Sequence, residues 1–221
     1  MKWNLETFLY SIRERLDEVG SKDVYTDMEL TRYLNAAIND MAHELRLEEV
    51  ATVEAAAQKD FDFRDIFVTE EDLALSMPER DQRMLQIQLI LLNNTIVPLT
   101  TIKNRDTTGV LSAYTWGNKL YLTQEATGTL EIFYLRKPVS LVNMTDSSEV
   151  PELYQHIPTT YVLARCMEKD GEMGQAAEYD RKYMEQKYEM ADEIDKREKP
   201  EDVSVVTDSF FAKDGDTDGE F

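Results

Sequence analysis

Cysteine, histidine and glycine are scarce in this sequence of 221 residues. Cys166 is the only cysteine, so no disulfide can form within the chain, and a reducing compartment is expected. The longest aliphatic run, at residues 89–92, is far shorter than the ~20 residues that span a bilayer. The N-terminal segment carries charges throughout and lacks the apolar stretch of a signal peptide. We therefore expect a protein without a membrane-spanning segment, made in a cytoplasm.

Positive charge is also in short supply. The chain has 24 Lys and Arg residues against 44 Asp and Glu residues, a formal net charge of −20. A surface this acidic repels phosphate backbones, which argues against a protein that reads nucleic-acid grooves. The contents of 42% hydrophobic and 31% charged residues are typical of a globular chain. At this length we expect one domain, or one domain with an insertion, whose core needs no disulfide or metal.

Two helices are predicted at the N-terminus. Apolar residues recur at intervals of three and four in a first stripe, which Gly20 closes; its members are Leu5, Phe8, Leu9, Ile12, Leu16 and Val19. Thr26 and Glu29 have the spacing of a capping box, in which each side chain bonds the backbone of the other residue. A longer apolar stripe over residues 30–45 predicts the second helix.

A β-rich segment begins near residue 49, where the helical period ends. We predict an antiparallel meander with strands over residues 84–92, 95–102, 110–116, 119–123 and 129–135. Asn93-Asn94 and Gly117-Asn118 are the expected turns, and Gly128 is expected to open the last strand. Residues 70–81 are predicted to be a loop or a short helix.

The helical period returns after Pro151. A buried helix is expected over residues 153–167, started or broken at Pro158, and Gly171 and Gly174 are expected to form the next turn. A long amphipathic helix then covers residues 176–194 and ends before Pro200. The remaining residues form an acidic tail with two apolar spots.

The predicted fold class is α+β. Each helical half has one apolar stripe to bury, so we expect a bundle of two N-terminal and two C-terminal helices with an inserted antiparallel β-sheet domain and an extended C-terminal tail. The expected boundaries are residues 1–48 for the N-terminal helices, 49–142 for the β-rich domain, 143–198 for the C-terminal helices and 199–221 for the tail.

The sequence contains no motif of a catalytic or cofactor-binding site. It has no glycine-rich phosphate loop, no nucleophile elbow and no zinc-binding HExxH. His43 and His156 are interpreted as surface or capping residues, and Cys166 as a buried structural thiol. We therefore expect a protein that is not an enzyme and needs no cofactor or metal.

Two acidic clusters contain residue types that bind metal ions, but the sequence around each of them favours another interpretation. Asp60, Asp62 and Asp65 are interleaved with phenylalanines, as in a half-buried strand. Residues 214–220 match the first half of an EF-hand loop, without the glutamate that completes such a loop. We interpret this segment as a solvated acidic terminus.

Aromatic residues supply candidates for contacts between subunits. Tyr179, Tyr183 and Tyr188 recur along the last helix, and core packing or subunit-interface packing is the common use of such a stripe. Trp116 lies beside the Gly117-Asn118 turn, and we interpret it as an anchor at a sheet edge.

Three segments resemble the head–tail adaptor proteins of tailed bacteriophages. The first is YTDMELTRYLNAAINDMAHELR, residues 25–46, which resembles the second helix of that family. The second is WGNKLYLTQEATGTLEIFYLRKP, residues 116–138. The third is the helix YQHIPTTYVLARCMEKD, residues 154–170, which an acidic linker precedes. With the order of the elements, the resemblance covers most of residues 1–198.

The resemblance implies a structural virion protein, a connector at the head–tail junction that is synthesised in the bacterial host cytoplasm. Such a protein forms a ring below the portal, usually a dodecamer, which joins capsid to tail and continues the DNA channel. The implied partners are the portal protein, a downstream tail or nozzle protein and further copies of this chain, while genomic DNA passes without specific binding. In the family the C-terminal segment commonly clasps the portal, which makes these the candidate docking residues: Val203, Val205, Val206, Phe210 and Phe211.

An acidic interaction module, a regulator or DNA mimic that occupies a basic partner, is the alternative. A carboxylate metalloenzyme is the third hypothesis. Residues 143–198 carry −7 and residues 199–221 carry −5 of the net charge. The C-terminal third is therefore the part expected to meet a basic surface or to line a path along which DNA slides.

Overall fold

The computed structural model describes residues 2–16, 24–67, 84–104 and 109–198. Three helices come first: α1 (Leu5–Arg15), α2 (Asp27–Asp40) and α3 (Ala42–Leu45). The apolar stripe predicted for α1 is buried at Leu5, Phe8, Leu9 and Ile12, while Val19 and Gly20 lie outside the described residues. The second predicted helix is divided into α2 and α3 at Met41.

One of the two hydrogen bonds of the capping box expected at α2 is confirmed. The Thr26 hydroxyl oxygen accepts a hydrogen bond from the Glu29 amide at 3.2 Å. The Glu29 carboxylate instead accepts from the Lys169 ammonium at 2.8 Å and from the Tyr33 hydroxyl at 3.2 Å. A contact between distant parts of the chain therefore takes the place of the predicted local bond, because the lysine offers the carboxylate an opposite charge.

Five antiparallel strands make one sheet. They are β1 (Leu47–Asp62), β2 (Met84–Leu92), β3 (Thr95–Ile96), β4 (Ala113–Trp116) and β5 (Lys119–Arg136). Their order is β1-β5-β2-β3, and β4 pairs with the first part of β5. A short helix, α4 (Phe63–Phe67), follows β1, so Phe63 begins a helix and does not continue the predicted strand.

Several strand predictions are wrong in their extent. The strands expected at residues 119–123 and 129–135 are one continuous strand, β5, and Gly128 lies inside it with a φ of 123°. The strand expected at residues 95–102 ends at Ile96, because Pro98 has no amide hydrogen to offer a sheet ladder. The strand expected at residues 110–116 is shorter and starts at Ala113.

The two expected turns are confirmed. Asn93 and Asn94 both have positive φ values, 49° and 64°, as a two-residue turn that matches the strand twist requires. Gly117 has a φ of 59° in the turn between β4 and β5, a conformation that glycine adopts without a steric penalty.

The sheet is bent so strongly that both ends of β5 reach α4. The Phe63 amide donates to the Asn118 carbonyl at 2.9 Å, and the rings of Phe67 and Tyr134 lie 4.5 Å apart. A straight strand between residues 118 and 134 would span about 50 Å at ~3.3 Å per residue, whereas α4 is about 7 Å long. β1 follows the bend, since Ala57, with a φ of 53°, lies at the first of two shifts of register against β5. The sheet therefore folds back around one core.

Two long helices complete the described chain, α5 (His156–Lys169) and α6 (Met173–Glu198). Pro158 lies in the first turn of α5, where a missing amide hydrogen costs no helical bond, so the helix begins close to this proline and three residues later than the expected residue 153. Gly171 makes the following turn with a φ of 82°, while Gly174 already belongs to α6. α5 packs on α1, α2 and α6, and α6 contacts α3. The C-terminal helices thus pack with the N-terminal ones, as predicted.

Buried side chains form a helical core and a sheet core. Arg136, the last residue of β5, lies between them, with its guanidinium 2.8 Å from the Glu49 carboxylate and 2.7 Å from the Glu149 carboxylate. Glu149 also accepts from the Val139 amide at 2.7 Å. Since Arg136 is opposite Leu47 in the ladder, the chain enters and leaves the sheet at neighbouring positions.

Candidate functional site

The aromatic candidates of α6 differ in their exposure. Tyr183 is 3% exposed, and its ring lies edge-on to that of Tyr161 with 5.2 Å between the ring centres. Its hydroxyl donates to the Asp40 carboxylate at 2.6 Å. Tyr183 is therefore a core residue that joins α6 to α2 within the chain.

An ionic network surrounds the Tyr183 hydroxyl. The Lys187 ammonium lies 2.8 Å from the Asp40 carboxylate and 3.3 Å from the Glu44 carboxylate. Burial would raise the pKa of Asp40, but the hydrogen bonds from Lys187 and Tyr183 outweigh it and hold this pKa below its ordinary value. Desolvation, followed by the bond to Asp40, raises the pKa of Tyr183 far above its ordinary range. The carboxylate stays charged and the phenol stays neutral near pH 7, so the network holds α6 against α2 and α3.

The other side of α6 faces solvent. Tyr188 is 66% exposed on that side, whereas Tyr179, four residues before Tyr183 and therefore on the same side of the helix as Tyr183, is half-buried. Tyr188 lies among exposed carboxylates such as Glu185 and Glu189. An exposed aromatic ring on an otherwise charged helix is available to a partner, because a tyrosine buries apolar area while its hydroxyl stays in water.

Trp116 lies at the end of the sheet, where the sequence predicted an edge anchor. It is the last residue of β4, which pairs with β5 alone among the described strands. Its side chain is 61% exposed, beside the turn at Gly117. Nearby, the rings of Tyr114 and Tyr121 stack across the strand pair with 5.2 Å between their centres. The stacked pair supports the strand end that presents Trp116 to solvent.

The sequence predictions missed an apolar row on the outer face of the sheet. Val50, Phe133 and Leu89 are direct neighbours across β1, β5 and β2. Val50 is 48% exposed, and the three residues line an open cavity of about 440 Å³. The alternation of β1 and β5 could have revealed this row, because all three belong to the face opposite Leu130 and Ile132 of the core.

The residues considered for chemistry occupy structural positions. His43 and His156 are exposed, and Cys166 is fully buried in α5, as interpreted from the sequence. Asp60 faces solvent and its carboxylate lies 2.8 Å from the Lys119 ammonium, while Phe61 is buried, as in a half-buried strand. Within the described ranges, no three His, Cys, Asp or Glu side chains are grouped so that they could hold a metal ion.

Several predictions concern residues outside the described ranges. They are the docking residues Val203, Val205, Val206, Phe210 and Phe211, the acidic segment at residues 214–220 and the loop or short helix at residues 70–81. Among the helices that the structure does describe, none combines the length and apolar character needed to cross a bilayer.

Comparison with known proteins agrees with the resemblance of the three segments. A family model described as SU10 adaptor protein matches residues 4–205, a range that contains every described helix and strand. No curated protein matches the chain. The family is one of phage head–tail adaptors. Its name indicates a structural role and implies that its members bind other virion proteins. The chain belongs to the SU10 adaptor protein family.

Proposed function

We propose that this chain is the subunit of a ring that lies below the portal of a tailed phage, joins the capsid to the tail and continues the DNA channel. The observation that carries the proposal is the family match over residues 4–205. The partners in this proposal are the portal protein, a downstream tail or nozzle protein and further copies of the chain, expected to number twelve. Its location is the head–tail junction of the virion.

Exposed aromatic residues support assembly into a ring. A closed ring needs two different surfaces on each subunit, because each copy meets its neighbour head to tail. Trp116 at the sheet end and Tyr188 on α6 are exposed and lie on separate elements, and Tyr179 is half-buried on the side of α6 away from Tyr188. We propose that these residues contribute to the contacts between subunits.

The acidic character of the chain supports a channel function. DNA must slide through an adaptor without being held, and carboxylates repel the phosphate backbone. The net charge of −20 would supply carboxylates to the wall of such a channel. We propose that the genome passes the ring without sequence-specific contacts.

The acidic tail is the proposed attachment to the portal. Val203, Val205, Val206, Phe210 and Phe211 give residues 199–221 two apolar spots within an acidic segment. Such a segment can order when it binds a partner. In this proposal, residues 1–48 and 143–198 form the helical body. Residues 49–142 form the inserted sheet, and residues 199–221 form the docking tail.

The test is to mix the purified chain with purified portal and to examine the product by mass photometry and negative-stain microscopy. We expect an annular particle whose mass equals the portal ring plus a ring of this chain. A chain that stays monomeric and separate from the portal would contradict the proposal.

Truncation separates docking from folding. Deletion of residues 203–221 should leave circular dichroism unchanged and weaken co-purification with the portal. Deletion of residues 213–221 is the matched control, because it removes acidic residues and keeps both apolar spots. If the longer deletion co-purifies as well as the full chain, the tail is not the attachment.

A further inference from the structure

The apolar row of Val50, Phe133 and Leu89 lies open on the outer face of the sheet. Val50 is 48% exposed, while Leu89 and Phe133 are half-buried and line the same cavity of about 440 Å³. Leu91 and Ile96 extend the apolar area, because they are opposite each other in the ladder of β2 and β3 and share the face of Leu89. Ile96 is 66% exposed. Contiguous exposed apolar area of this kind is typical of an interaction surface.

The rim of this cavity carries an unbalanced negative charge. Glu48 and Glu49 both line it. The Glu49 carboxylate lies 2.8 Å from the Arg136 guanidinium, which balances its charge. Glu48 is exposed and forms no ion pair with another described residue. A guest that combines an apolar group with a neighbouring cation therefore fits this cavity better than a purely apolar or an acidic guest.

The last turn of α6 brings the end of the described chain close to the start of β1. The Asp195 carboxylate forms an ion pair with the Arg46 guanidinium, and Arg46 directly precedes β1. Val50 is four residues further along, about 13 Å from Arg46 in an extended strand. Phe210 is twelve residues after Glu198, which allows up to about 40 Å of extended chain. This segment is thus long enough to reach the apolar row from the end of α6.

We propose that Phe210 and Phe211 bind on the apolar row of their own chain and place Lys213 beside Glu48. Aromatic rings pack on one another in offset or edge-on arrangements, and the half-buried ring of Phe133 offers such a partner. The cavity volume is in the range of pockets that hold small ligands. This contact belongs to the free chain, so it does not rest on the proposed ring or on the portal.

The two phenylalanines are favoured over the valines of the same segment. Lys213 is two residues after Phe211, so its ammonium stays close to the ring that it follows. The other lysine of residues 199–221 is Lys199, which is four residues before Val203. A phenylalanine also buries more apolar area than a valine does. Phe210, Phe211 and Lys213 therefore match the cavity in both apolar area and charge.

The tether favours the chain's own segment over that of a second copy. Residues 199–209 join the end of α6 to Phe210, and a short tether gives an effective concentration of the order of 1 mM. A second copy brings a further net charge of −20, and the repulsion between like charges opposes its approach. A contact made by two aromatic side chains is therefore populated within one chain before it is populated between chains.

The test uses methyl NMR of the full chain, labelled with carbon-13 at leucine and valine methyl groups and carrying a nitroxide at Thr207→Cys. Cys166 is fully buried, so the nitroxide reagent reacts with the new thiol. We expect loss of the Val50 and Leu89 signals by paramagnetic broadening, while the Leu153 signal remains. Leu153 is the matched reference, because it is 64% exposed and lines a cavity with residues of the second half of α6. A segment that does not bind would broaden Leu153 and Val50 alike.

Variants of the segment identify the residues that bind. Phe210→Ser with Phe211→Ser should restore the Val50 and Leu89 signals. Val205→Ser with Val206→Ser, the same kind of change at the other apolar spot, should not. Lys213→Glu should restore part of the two signals, and Glu48→Lys in the same chain should remove them again, because the ion pair then re-forms with its charges exchanged.

A mixture separates contact within the chain from contact between copies. Chains that carry the nitroxide but no carbon-13 are mixed with carbon-13 chains that carry no nitroxide. We expect the Val50 and Leu89 signals to keep their intensity in this mixture.

Five results would overturn the assignment. They are equal broadening of Val50 and Leu153, broadening that survives the double phenylalanine variant, equal effects of the two double variants, no second loss of signal with Glu48→Lys, and loss of the Val50 signal in the mixture. Val50 and Leu89 signals that keep their intensity beside the nitroxide would equally overturn it and would leave the apolar row to residues 68–83 or to another protein.

Discussion

The Asn93 side chain occupies the space that a larger residue at position 128 would need. Gly128 has a φ of 123°, and a Cβ atom added there would lie 2.1 Å from the Asn93 Oδ1 atom. The side-chain amide of Asn93 bonds the residues on both sides of Gly128. It accepts from the Thr129 backbone amide at 3.0 Å and donates to the Thr127 carbonyl at 3.2 Å. Gly128→Ala must therefore displace Asn93 from both hydrogen bonds.

Two contributions set the expected loss of stability for Gly128→Ala. A non-glycine residue at this φ costs about 1–3 kcal/mol in backbone strain. Loss of two hydrogen bonds costs about 0.5–1.5 kcal/mol each, so the free energy of unfolding should fall by about 2–6 kcal/mol in total. Asn93→Gly removes the obstructing side chain, and glycine accepts the φ of 49° at position 93. In that background Gly128→Ala should cost only the strain, about 1–3 kcal/mol.

Urea denaturation of the four proteins in this double-mutant cycle, followed by far-ultraviolet circular dichroism, measures both costs. We expect Gly128→Ala to cost about 1–3 kcal/mol less when Asn93 is already glycine, since the bonds to residues 127 and 129 are then absent in both members of the pair. Equal costs in the two backgrounds would refute the reasoning, because they would show that Asn93 does not fill this space in solution.

Three other perturbations address the helical body and the acidic segment. Tyr183→Phe should lower the free energy of unfolding by about 1–2 kcal/mol, because it removes the hydroxyl that donates to Asp40, whereas Tyr188→Phe at an exposed position should have little effect; equal effects in urea titrations would contradict the core role of Tyr183. Asp40→Asn should destabilise the protein at pH 7 and less so below about pH 4. Folding lowers the pKa of Asp40, so the Asp40 carboxylate stabilises the protein above the ordinary carboxyl pKa, and this stabilisation is lost as the pH falls through the pKa of the folded state. A loss of stability in Asp40→Asn that is the same at pH 7 and at pH 3 would argue against this. EDTA should change neither the melting temperature nor assembly, since residues 214–220 match only half of a calcium loop; a calcium-dependent rise in melting temperature that Asp216→Asn abolishes would reverse that interpretation.

The helices could be predicted from the sequence because their signals are local. The stripes of α1 and α2 and the Thr26 cap depend on residues three or four apart, and the structure confirms them. The break at Met41 had no such signal, because the apolar stripe continues through it to Leu45. Packing against α6, which is far away in sequence, fixes this part of the chain.

The extent of β5 could not be predicted because it depends on distant partners. Polar residues at positions 124 and 125 and Gly128 have the composition of a loop. In the structure, β1 pairs along almost the whole of β5, and the irregular backbone at Ala57 and Gly128 lets both strands bend together. The ladder thus continues through residues that, alone, favour a turn.

The aromatic candidates show the same limit at the level of single side chains. Tyr183 and Tyr188 are five residues apart, which is about 140° around a helix. They therefore face different directions, and helix geometry alone could have separated them. Which of the two faces the core depends on the position of α2, and only the structure supplies it.

The pairing of Leu47 with Arg136 has a consequence for how this family can change. Opposite residues of an antiparallel ladder lie about 5 Å apart, a gap that a two-residue turn can close. The whole sheet is therefore an insertion that two adjacent chain segments join to the helical body. Recombination can lengthen, exchange or delete such an insertion while α1, α2, α5 and α6 keep their contacts. Evolution can thus alter what the sheet meets without rebuilding the helices that carry it.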